Sequence, residues 1–202
     1  RSVVPMVYYH VWDNFPLPAF NQKFYESNDF VATISKVTSA CVRGVAPSVQ
    51  EQYVPHAVNS EYFKPLDEET MTNFRANFDE HHNTKDKFIF FWNNRNARRK
   101  QSGSLIYWFK DFLDDVGHDK ACLIMHTDPK DGYGQDLHAI AAELGLYEEN
   151  QVLFSTTKVN MEQLSMLYNM ADCTVNIADA EGFGLATLES LSCGTPIIVN
   201  MT

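Results

Sequence analysis

The feature that most constrains this fold is a regular alternation of short apolar runs with segments of helical periodicity, which starts near residue 87 of the 202-residue chain. The apolar runs have strand length and no strict polar–apolar alternation, as expected for strands that are buried on both faces. Strands that alternate with helices predict an α/β fold, a Rossmann-like parallel sheet with helices on both faces. Strands are predicted at 87–92, 121–127, 151–156, 173–179 and 196–200, and helices at 103–117, 135–145, 161–171 and 184–194.

The first 60 residues have a shorter and less regular pattern. Buried strands are predicted at 3–11 and 29–36, with a third candidate at 51–58. The polar segment 59–70 contains a proline and is typical of a hinge, and its acidic end opens a predicted helix over 67–78. The pattern therefore predicts two domains, a partial Rossmann-like domain over 1–60 and a larger domain over 61–202, and we expect both to be incomplete.

Charge excludes one class of function. The chain has 26 acidic and 16 basic residues and a formal net charge of -10. Nonspecific nucleic-acid binding needs a basic surface, so a nucleic-acid partner is not expected. A local anion pocket remains compatible with an acidic protein, because net charge does not describe a cleft.

The cysteines and the hydropathy pattern bear on compartment. Cys41, Cys122, Cys173 and Cys193 are far apart and show no CxxC spacing, so buried free thiols and a reducing compartment are expected. No apolar run reaches the length of a transmembrane helix, and no signal-peptide pattern opens the chain. The expected location is the cytoplasm, with peripheral membrane association as an alternative.

The first chemical motif is EGFGLATLESLSCGTPII, from Glu181 to Ile198, which follows a predicted strand and opens a helix. Gly182 and Gly184 allow the backbone to approach a ligand closely, and the first amides of the helix suit a phosphate. Glu189, within this helix, could accept both hydroxyls of a ribose. The alternative is a tight turn with Glu189 as a solvated helix residue.

The second motif is WNNRNARRK, residues 92–100, which follows the strand 87–92. Arg95, Arg98, Arg99 and Lys100 place four positive charges within six residues of an acidic chain. Arginine forks and a lysine point charge together fit a diphosphate, and the carboxyl end of a parallel strand is where ligands bind. The alternative is a solvated basic turn.

With these residues, the chain resembles the retaining glycosyltransferases of family 4. The resemblance is carried by HTDPKDGYGQDLHAIAAELGL and by VLFSTTKVNMEQLSMLYNMADCTVNIADAEGFGLATLESLSCGTPII, which are similar to the C-terminal domain of that family. The family has two Rossmann-like domains that face each other across a cleft, the GT-B fold. The resemblance therefore implies an incomplete C-terminal donor domain and a remnant of the N-terminal acceptor domain.

The family's signature is a glutamate, seven residues and a second glutamate, which Glu181 and Glu189 match. The resemblance implies that Glu181 faces the donor sugar, that Glu189 holds the donor ribose, and that the backbone around Phe183–Leu185, flanked by Gly182 and Gly184, meets the phosphates. Arg95 and Lys100 match the spacing of the family's arginine and lysine, with Arg98 and Arg99 as additional cations. Which arginine contacts the phosphate stays open.

The N-terminal segment VVPMVYYHVWDN is similar to the family's strand and loop with an acceptor-side histidine, which makes His10 the candidate, with Asp13 near it. YVPHAVNSEYFKP is similar to the interdomain crossing, with Ala57 where glycine is usual. His56 is interpreted there as a structural turn residue. His126, at a strand end, could either bond within the core or line the cleft.

The resemblance implies transfer of a sugar from a nucleotide-diphosphate sugar to a hydroxyl of a carbohydrate or lipid-linked acceptor, with retention of configuration. It implies no metal and no cofactor, since cationic side chains and helix dipoles neutralise the leaving diphosphate. Activity of this chain by itself stays open. The alternatives are a sugar-nucleotide epimerase of the same fold, or a noncatalytic nucleotide-binding module whose sheet edges pair in a homo-oligomer.

Overall fold

The computed structural model describes residues 4–14, 16–148 and 150–200, and the chain divides into two compact units. The first unit is Arg1–Ala57 with Ala180–Leu185, and the second is Val58–Asp179 with Ala186–Thr202. The short segment 180–185, which the sequence pattern assigns to the larger domain, thus packs with the first unit.

The first unit contains a small parallel sheet with two helices. Its strand order is β1-β2-β3, and the core is formed by Tyr25, Val31, Val42 and Ala46. Helix α2 begins after Ser35, whose side chain accepts a hydrogen bond from the Thr38 N–H and so satisfies a backbone donor of the first turn. The elements are β1 Val7–His10, α1 Gln22–Glu26, β2 Phe30–Thr33, α2 Lys36–Val45 and β3 Glu51–Tyr53.

The strand predicted at 3–11 is shorter than expected and is not buried on both faces. Residue 3 lies outside the described residues, and in β1 the side chains of Val7 and Tyr9 are exposed while His10 is buried. β1 is an edge strand of this three-stranded sheet, and Val7 and Tyr9 are 64% and 45% exposed. The prediction of a buried strand is correct for β2 alone, since β3 is also largely exposed.

The second unit is a five-stranded parallel sheet with helices on both faces, which confirms the predicted fold class. The strand order is β6-β5-β4-β7-β8, and every strand pair is parallel. The strands are β4 Phe88–Asn93, β5 Ala121–His126, β6 Val152–Ser155, β7 Cys173–Asn176 and β8 Ile197–Val199. The helices are α3 Glu68–His82, α4 Ser102–Val116, α5 Leu137–Glu143, α6 Met161–Met170 and α7 Leu185–Ser192.

The two faces of this sheet bury separate cores. One core contains Trp92 of β4 with residues of α4 and α5, and the other contains Phe91 of β4 with residues of α3 and α6. Neighbouring residues of one strand thus point to opposite cores, which explains why the strands are apolar without alternation. All four cysteines are free and buried, as their apolar surroundings predict.

Local signals in the sequence set the helix boundaries. Asp67, Asp136 and Asn160 each accept a hydrogen bond at the start of α3, α5 and α6, and Asn160 forms a capping box with Gln163. Helix α4 ends at Gly117, whose φ of +109° is a conformation that side chains rarely adopt. Polar caps therefore mark the starts of α2, α3, α5 and α6, and apolar spacing decides which face of a helix is buried.

The strand order of the second unit creates a natural ligand site. Strands β4, β5 and β6 follow one another toward one edge of the sheet, whereas β7 and β8 lie on the other side of β4. The side on which the chain adds strands therefore switches at β4, and the switch point lies between the neighbouring parallel strands β4 and β7. In open parallel sheets, ligands bind at the carboxyl ends of the strands beside this reversal.

Candidate functional site

The predicted basic loop follows β4 directly and contains a 3₁₀ turn, Arg98–Lys100. Arg95, Arg98 and Arg99 are exposed, whereas Lys100 is only 8% exposed. The backbone N–H of Lys100 donates to the Ala97 carbonyl at 2.8 Å, which fixes the turn. The loop thus presents arginine forks to solvent and holds one lysine within the protein.

Asn96 holds this loop in place, and the sequence patterns do not identify it. It is fully buried; its Nδ2 donates to the Gln135 carbonyl at 2.7 Å, and its Oδ1 accepts from the Ser102 hydroxyl at 2.7 Å. These bonds connect the basic loop to the β5–α5 loop and to the start of α4. A buried asparagine with all its bonds satisfied is a rigid support for the cations on either side.

Two glycines of the β5–α5 loop provide a matched test of this support. A Cβ at Gly134 would overlap the Asn96 side chain and backbone carbonyl, whereas a Cβ at Gly132 would meet nothing within 4 Å. We expect Gly134→Ala to lower the free energy of unfolding by roughly 1–3 kcal/mol, the usual cost of overpacking. Gly132→Ala should change it by less than about 1 kcal/mol. Urea unfolding measures both, and equal midpoints for the two variants would contradict the packing seen here.

Arg95 is paired with an acidic residue of the β5–α5 loop. Its Nε and Nη2 donate to the two carboxylate oxygens of Asp131 at 2.7 and 3.2 Å, and its guanidinium lies 4.4 Å from the Tyr133 ring centroid. The hydrogen bond raises the pKa of Arg95 and lowers the pKa of Asp131. A guanidinium has five N–H donors, so Asp131 orients the group and leaves donors for an anion.

A cavity of about 300 Å³ opens at the carboxyl ends of β4, β5 and β6. Among the described residues, the Thr127 hydroxyl and the Asn94 amide nitrogen are buried side-chain groups without a hydrogen-bond partner, and both residues line this cavity. A buried polar group without a partner is costly and often marks the place of a ligand or ordered water. The lining is Asn93, Asn94, Arg95, His126, Thr127, Asp128, Asp131, Ser155, Thr156, Thr157 and Lys158.

His126 has both of the roles that the sequence left open. Its Nδ1 lies 2.9 Å from the Ser155 hydroxyl, and its side chain also lines the cavity. Burial lowers the pKa of His126 below its ordinary value, so the imidazole is neutral near pH 7. It can therefore act at this cavity as a hydrogen-bonding group and not as a cation.

Glu189 is linked to the cavity by a chain of hydrogen bonds. Asn93, which lines the cavity, donates to the Tyr168 hydroxyl at 2.9 Å, and that hydroxyl donates to Glu189 Oε2 at 2.7 Å. Burial raises the pKa of Glu189, and the bond from Tyr168 opposes this effect. Glu189 is therefore held by a buried partner and is not a solvated residue of the helix.

The loop after β7 is bonded to the basic loop within the second unit. The Asp179 N–H donates to the Arg99 carbonyl at 2.8 Å, and Gln101 Nε2 donates to an Asp179 carboxylate oxygen at 2.5 Å. The loop after β7 is thus joined to the basic loop as far as Asp179.

The glycine motif itself, Glu181 to Leu185, packs within the first unit. A Cβ at Gly182 would overlap Val11, and Gly184 has a φ of +82°. The Phe183 ring lies edge-to-face with His56, at 5.2 Å between centroids. Each glycine thus has a steric reason within the protein, independent of any ligand.

Two histidines of the first unit are held by tyrosines. His10 is 2% exposed, with Nε2 at 2.8 Å from the Tyr25 hydroxyl and Nδ1 at 3.2 Å from the Tyr8 hydroxyl. Burial lowers the pKa of His10, so its ring is neutral near pH 7. His56 Nδ1 lies 3.0 Å from the Tyr9 hydroxyl, in keeping with the structural role predicted for it.

The predicted site residues therefore fall into two groups. Arg95, Lys100 and Glu189 lie in the second unit, at the carboxyl edge of its sheet, while His10 and the segment 181–185 lie in the first unit. Tyr168, Asn96, Asp131 and Thr127 were not identified from the sequence. In the sequence, Tyr168 has the pattern of an ordinary helix residue and Asn96 that of an ordinary loop residue. Only their hydrogen-bond partners in the folded protein distinguish them.

Within the described residues, no group of three or more histidine, cysteine, aspartate or glutamate side chains could hold a metal ion. In the same part of the chain, none of the helices combines the length and the apolar character that a bilayer crossing requires.

The fold is shared with several solved structures. Sucrose-phosphate synthase from Thermosynechococcus elongatus is 24% identical with a TM-score of 0.72, over 89% of this chain and 42% of that chain. Anabaena HepE, solved in complex with UDP-glucose, is 17% identical with a TM-score of 0.74, over 96% and 53% of the two chains. A glycosyltransferase from Rickettsia africae is 17% identical with a TM-score of 0.71, over 96% and 50%.

At these identities, the similarity shows the fold, and the chain spans about half or less of the length of these proteins. The α/β sheets match the Rossmann-like domains of the GT-B fold. No curated protein sequence matches the chain. The family model for glycosyl transferases group 1 matches residues 73–202, which include the basic loop, the cavity and Glu189. That match covers more than half of the chain, and the chain therefore belongs to the glycosyl transferases group 1 family.

Proposed function

We propose that the second unit binds the nucleoside diphosphate of a nucleotide-sugar donor, and that the protein transfers the sugar to an acceptor hydroxyl with retention of configuration, as in family 4. One observation carries the proposal. The carboxylate suited to a ribose, Glu189, is connected through Tyr168 to Asn93, which borders the cavity next to the cationic loop. The Glu189 carboxylate, the cationic loop and the cavity lie along one edge of one sheet, and this arrangement supports the proposal.

The residues take separate parts in donor binding. Arg95 and Lys100 neutralise the diphosphate, one as an oriented fork and the other as a buried point charge. The cavity accommodates the base, where Thr127 and Asn94 offer polar groups that lack protein partners among the described residues. Glu189 accepts the ribose hydroxyls. The first amides of α7 within the second unit add phosphate donors.

The proposed chemistry breaks the bond between the anomeric carbon and the diphosphate oxygen, which leaves with the electron pair. The cations and the helix amides stabilise the negative charge that develops on that oxygen. The acceptor hydroxyl attacks from the face that the diphosphate leaves, and its proton passes to the departing phosphate.

The donor is a substrate, and we propose neither a cofactor nor a metal, because cationic side chains supply the charge that a metal would provide. The acceptor class that fits the family resemblance is a carbohydrate or a lipid-linked sugar. A cytoplasmic location, with peripheral membrane contact as the alternative, belongs to the same proposal. Catalysis requires both walls of the cleft in accurate geometry, so binding is the more direct test for this chain.

Calorimetric titration with UDP, GDP and ADP tests the proposal. We expect one nucleotide to bind selectively, and Glu189→Ala to weaken that binding by roughly 10- to 100-fold, since a hydrogen bond to a charged group contributes about 1.5–3 kcal/mol. Glu143→Ala, an exposed glutamate on α5, is the matched control and should bind as the wild type does.

Three results would separate the alternatives. Absence of binding by every nucleotide would overturn the proposal for this chain. Tight binding without product release from any nucleotide sugar would favour a noncatalytic module. Conversion of the nucleotide sugar to an isomer without an acceptor would favour an epimerase.

A further inference from the structure

Tyr168 is a buried tyrosine whose hydroxyl lies between two polar side chains from different elements. The residue is 0% exposed and belongs to α6, Asn93 ends β4, and Glu189 lies in α7. Asn93 donates to the hydroxyl at 2.9 Å, and the hydroxyl donates to Glu189 Oε2 at 2.7 Å. The hydroxyl thus accepts one hydrogen bond from Asn93 at the strand end and donates its own proton to the Glu189 carboxylate.

The tyrosine ring is itself fixed by packing. It lies edge-to-face with Phe91, at 5.2 Å between centroids, and with Phe63 at 6.1 Å. The backbone carbonyl of Tyr168 accepts a hydrogen bond from the Thr195 hydroxyl at 2.6 Å. A hydroxyl on so constrained a ring has one position, and the carboxylate that accepts from it takes one orientation.

We propose that Tyr168, supported by Asn93, is a positioning residue that orients the Glu189 carboxylate for the donor ribose. A carboxylate has about four lone-pair sites, and the Tyr168 hydroxyl fills one of them, which leaves room for two ribose hydroxyls. A donor hydrogen bond to the charged form also offsets the cost of burying the charge. The role rests on the proposed function in one respect, that Glu189 binds the ribose.

The charge state of Glu189 gives the role a pH signature. Burial raises the pKa of Glu189, and the hydrogen bond from Tyr168 lowers it in part. Among the described residues, the titratable groups that face the carboxylate are Tyr168 from α6 and Cys193, the residue after α7, and burial raises the pKa of each, so both are neutral. The Asn93 group from β4 carries no charge. Ribose binding by the ionised form is therefore present above the pKa of Glu189 and is lost as the pH falls through it.

The first test needs no nucleotide. The pKa of Glu189 is measured from its carboxyl carbon chemical shift in wild type and in Tyr168→Phe, with the resonance assigned by Glu189→Gln. The phenylalanine ring keeps the contacts with Phe91 and Phe63, and we expect the pKa of Glu189 to rise. Asn93→Ala, which removes the donor behind the hydroxyl, should raise it by less. An unchanged pKa in both variants would overturn the proposal.

The second test measures binding of the selected nucleoside diphosphate between pH 5 and pH 9. Tyr168→Phe should weaken binding roughly tenfold near neutral pH, on the scale of a lost hydrogen bond to a charged group, and move the acid loss of binding to higher pH. In the Glu189→Gln background, the same change should weaken binding by less than about twofold, because a residue that acts through Glu189 has no additional effect without its charge. Tyr147→Phe, an exposed tyrosine, is the control.

The two tests separate this proposal from the proposed function. A raised pKa of Glu189 in Tyr168→Phe, with no nucleotide bound by any variant, supports the positioning of the carboxylate and contradicts the ribose role. Nucleotide binding that depends on Glu189 but not on Tyr168, with an unchanged pKa, overturns the positioning role and leaves the proposed function in place. Equal losses from Tyr168→Phe in both backgrounds would indicate a structural effect and overturn the proposal.

Discussion

Alanine at Lys100 is expected to lower the rate of sugar transfer by about 10²- to 10³-fold, or roughly 2.7–4 kcal/mol of barrier, the usual effect of removing one group that stabilises a developing oxyanion. The residue is 8% exposed, and its backbone is fixed in the 3₁₀ turn that follows Asn96 and Arg95. A point charge held in this way needs no reorganisation when the diphosphate leaves. Single-turnover kinetics with a nucleotide-sugar donor measure the effect.

Arg98 provides the comparison for Lys100, because it lies in the same turn but is exposed. Arg98→Ala should reduce the rate by less than about tenfold, on the scale of an exposed charge. Thermal unfolding of Lys100→Ala checks that the loop remains folded. A rate for Lys100→Ala within a factor of two of the wild type would remove Lys100 from the proposed mechanism.

Alanine at Phe91 is expected to lower the free energy of unfolding of the second unit by about 3–5 kcal/mol, the range for truncation of a buried aromatic residue. Phe91 is fully buried in the central strand β4 and packs against Tyr168 of α6. Its removal leaves a cavity between the sheet and the helix that holds the Tyr168 hydroxyl. Urea unfolding, followed by a probe within the second unit, measures the change.

Phe88 is the matched control on the same strand, since it is 45% exposed. Phe88→Ala should lower the free energy of unfolding by less than about 1.5 kcal/mol, because it removes less apolar area from the folded interior. Similar losses for the two variants would contradict the assignment of β4 as the central strand with Phe91 in its core.

The periodicity of the sequence predicted the second unit well. The five strands and the helices α3 to α7 all occur where apolar spacing placed them, with ends that differ by a few residues. The spacing works here because both faces of the sheet and one face of each helix are buried, so a single variable, burial, determines most positions. The ends of α4 and α6 agree within one residue, because caps such as Asn160 and Gly117 act through local hydrogen bonds and local backbone conformation.

The first unit was less predictable for a related reason. Helices α1 and α2 were not predicted, and β1 exposes Val7 and Tyr9, which its apolar sequence suggested were buried. Three short strands give too few positions for a period to emerge, and an apolar strand at a sheet edge has the same sequence pattern as a buried one.

What the sequence determined by itself was the fold class and the chemistry that a single segment carries: an apolar strand followed by a cationic loop, and a glutamate within a helix. The tertiary structure decided which side chains act together. Asn93, Tyr168 and Glu189 come from three elements, and Asn96, Asp131 and Gly134 from two loops, so their contacts depend on strand order and packing. Periodicity reports which residues are buried, because burial is a property of each position. A hydrogen bond between residues far apart in the sequence requires the fold to bring two positions together, and the local sequence around either residue does not show this.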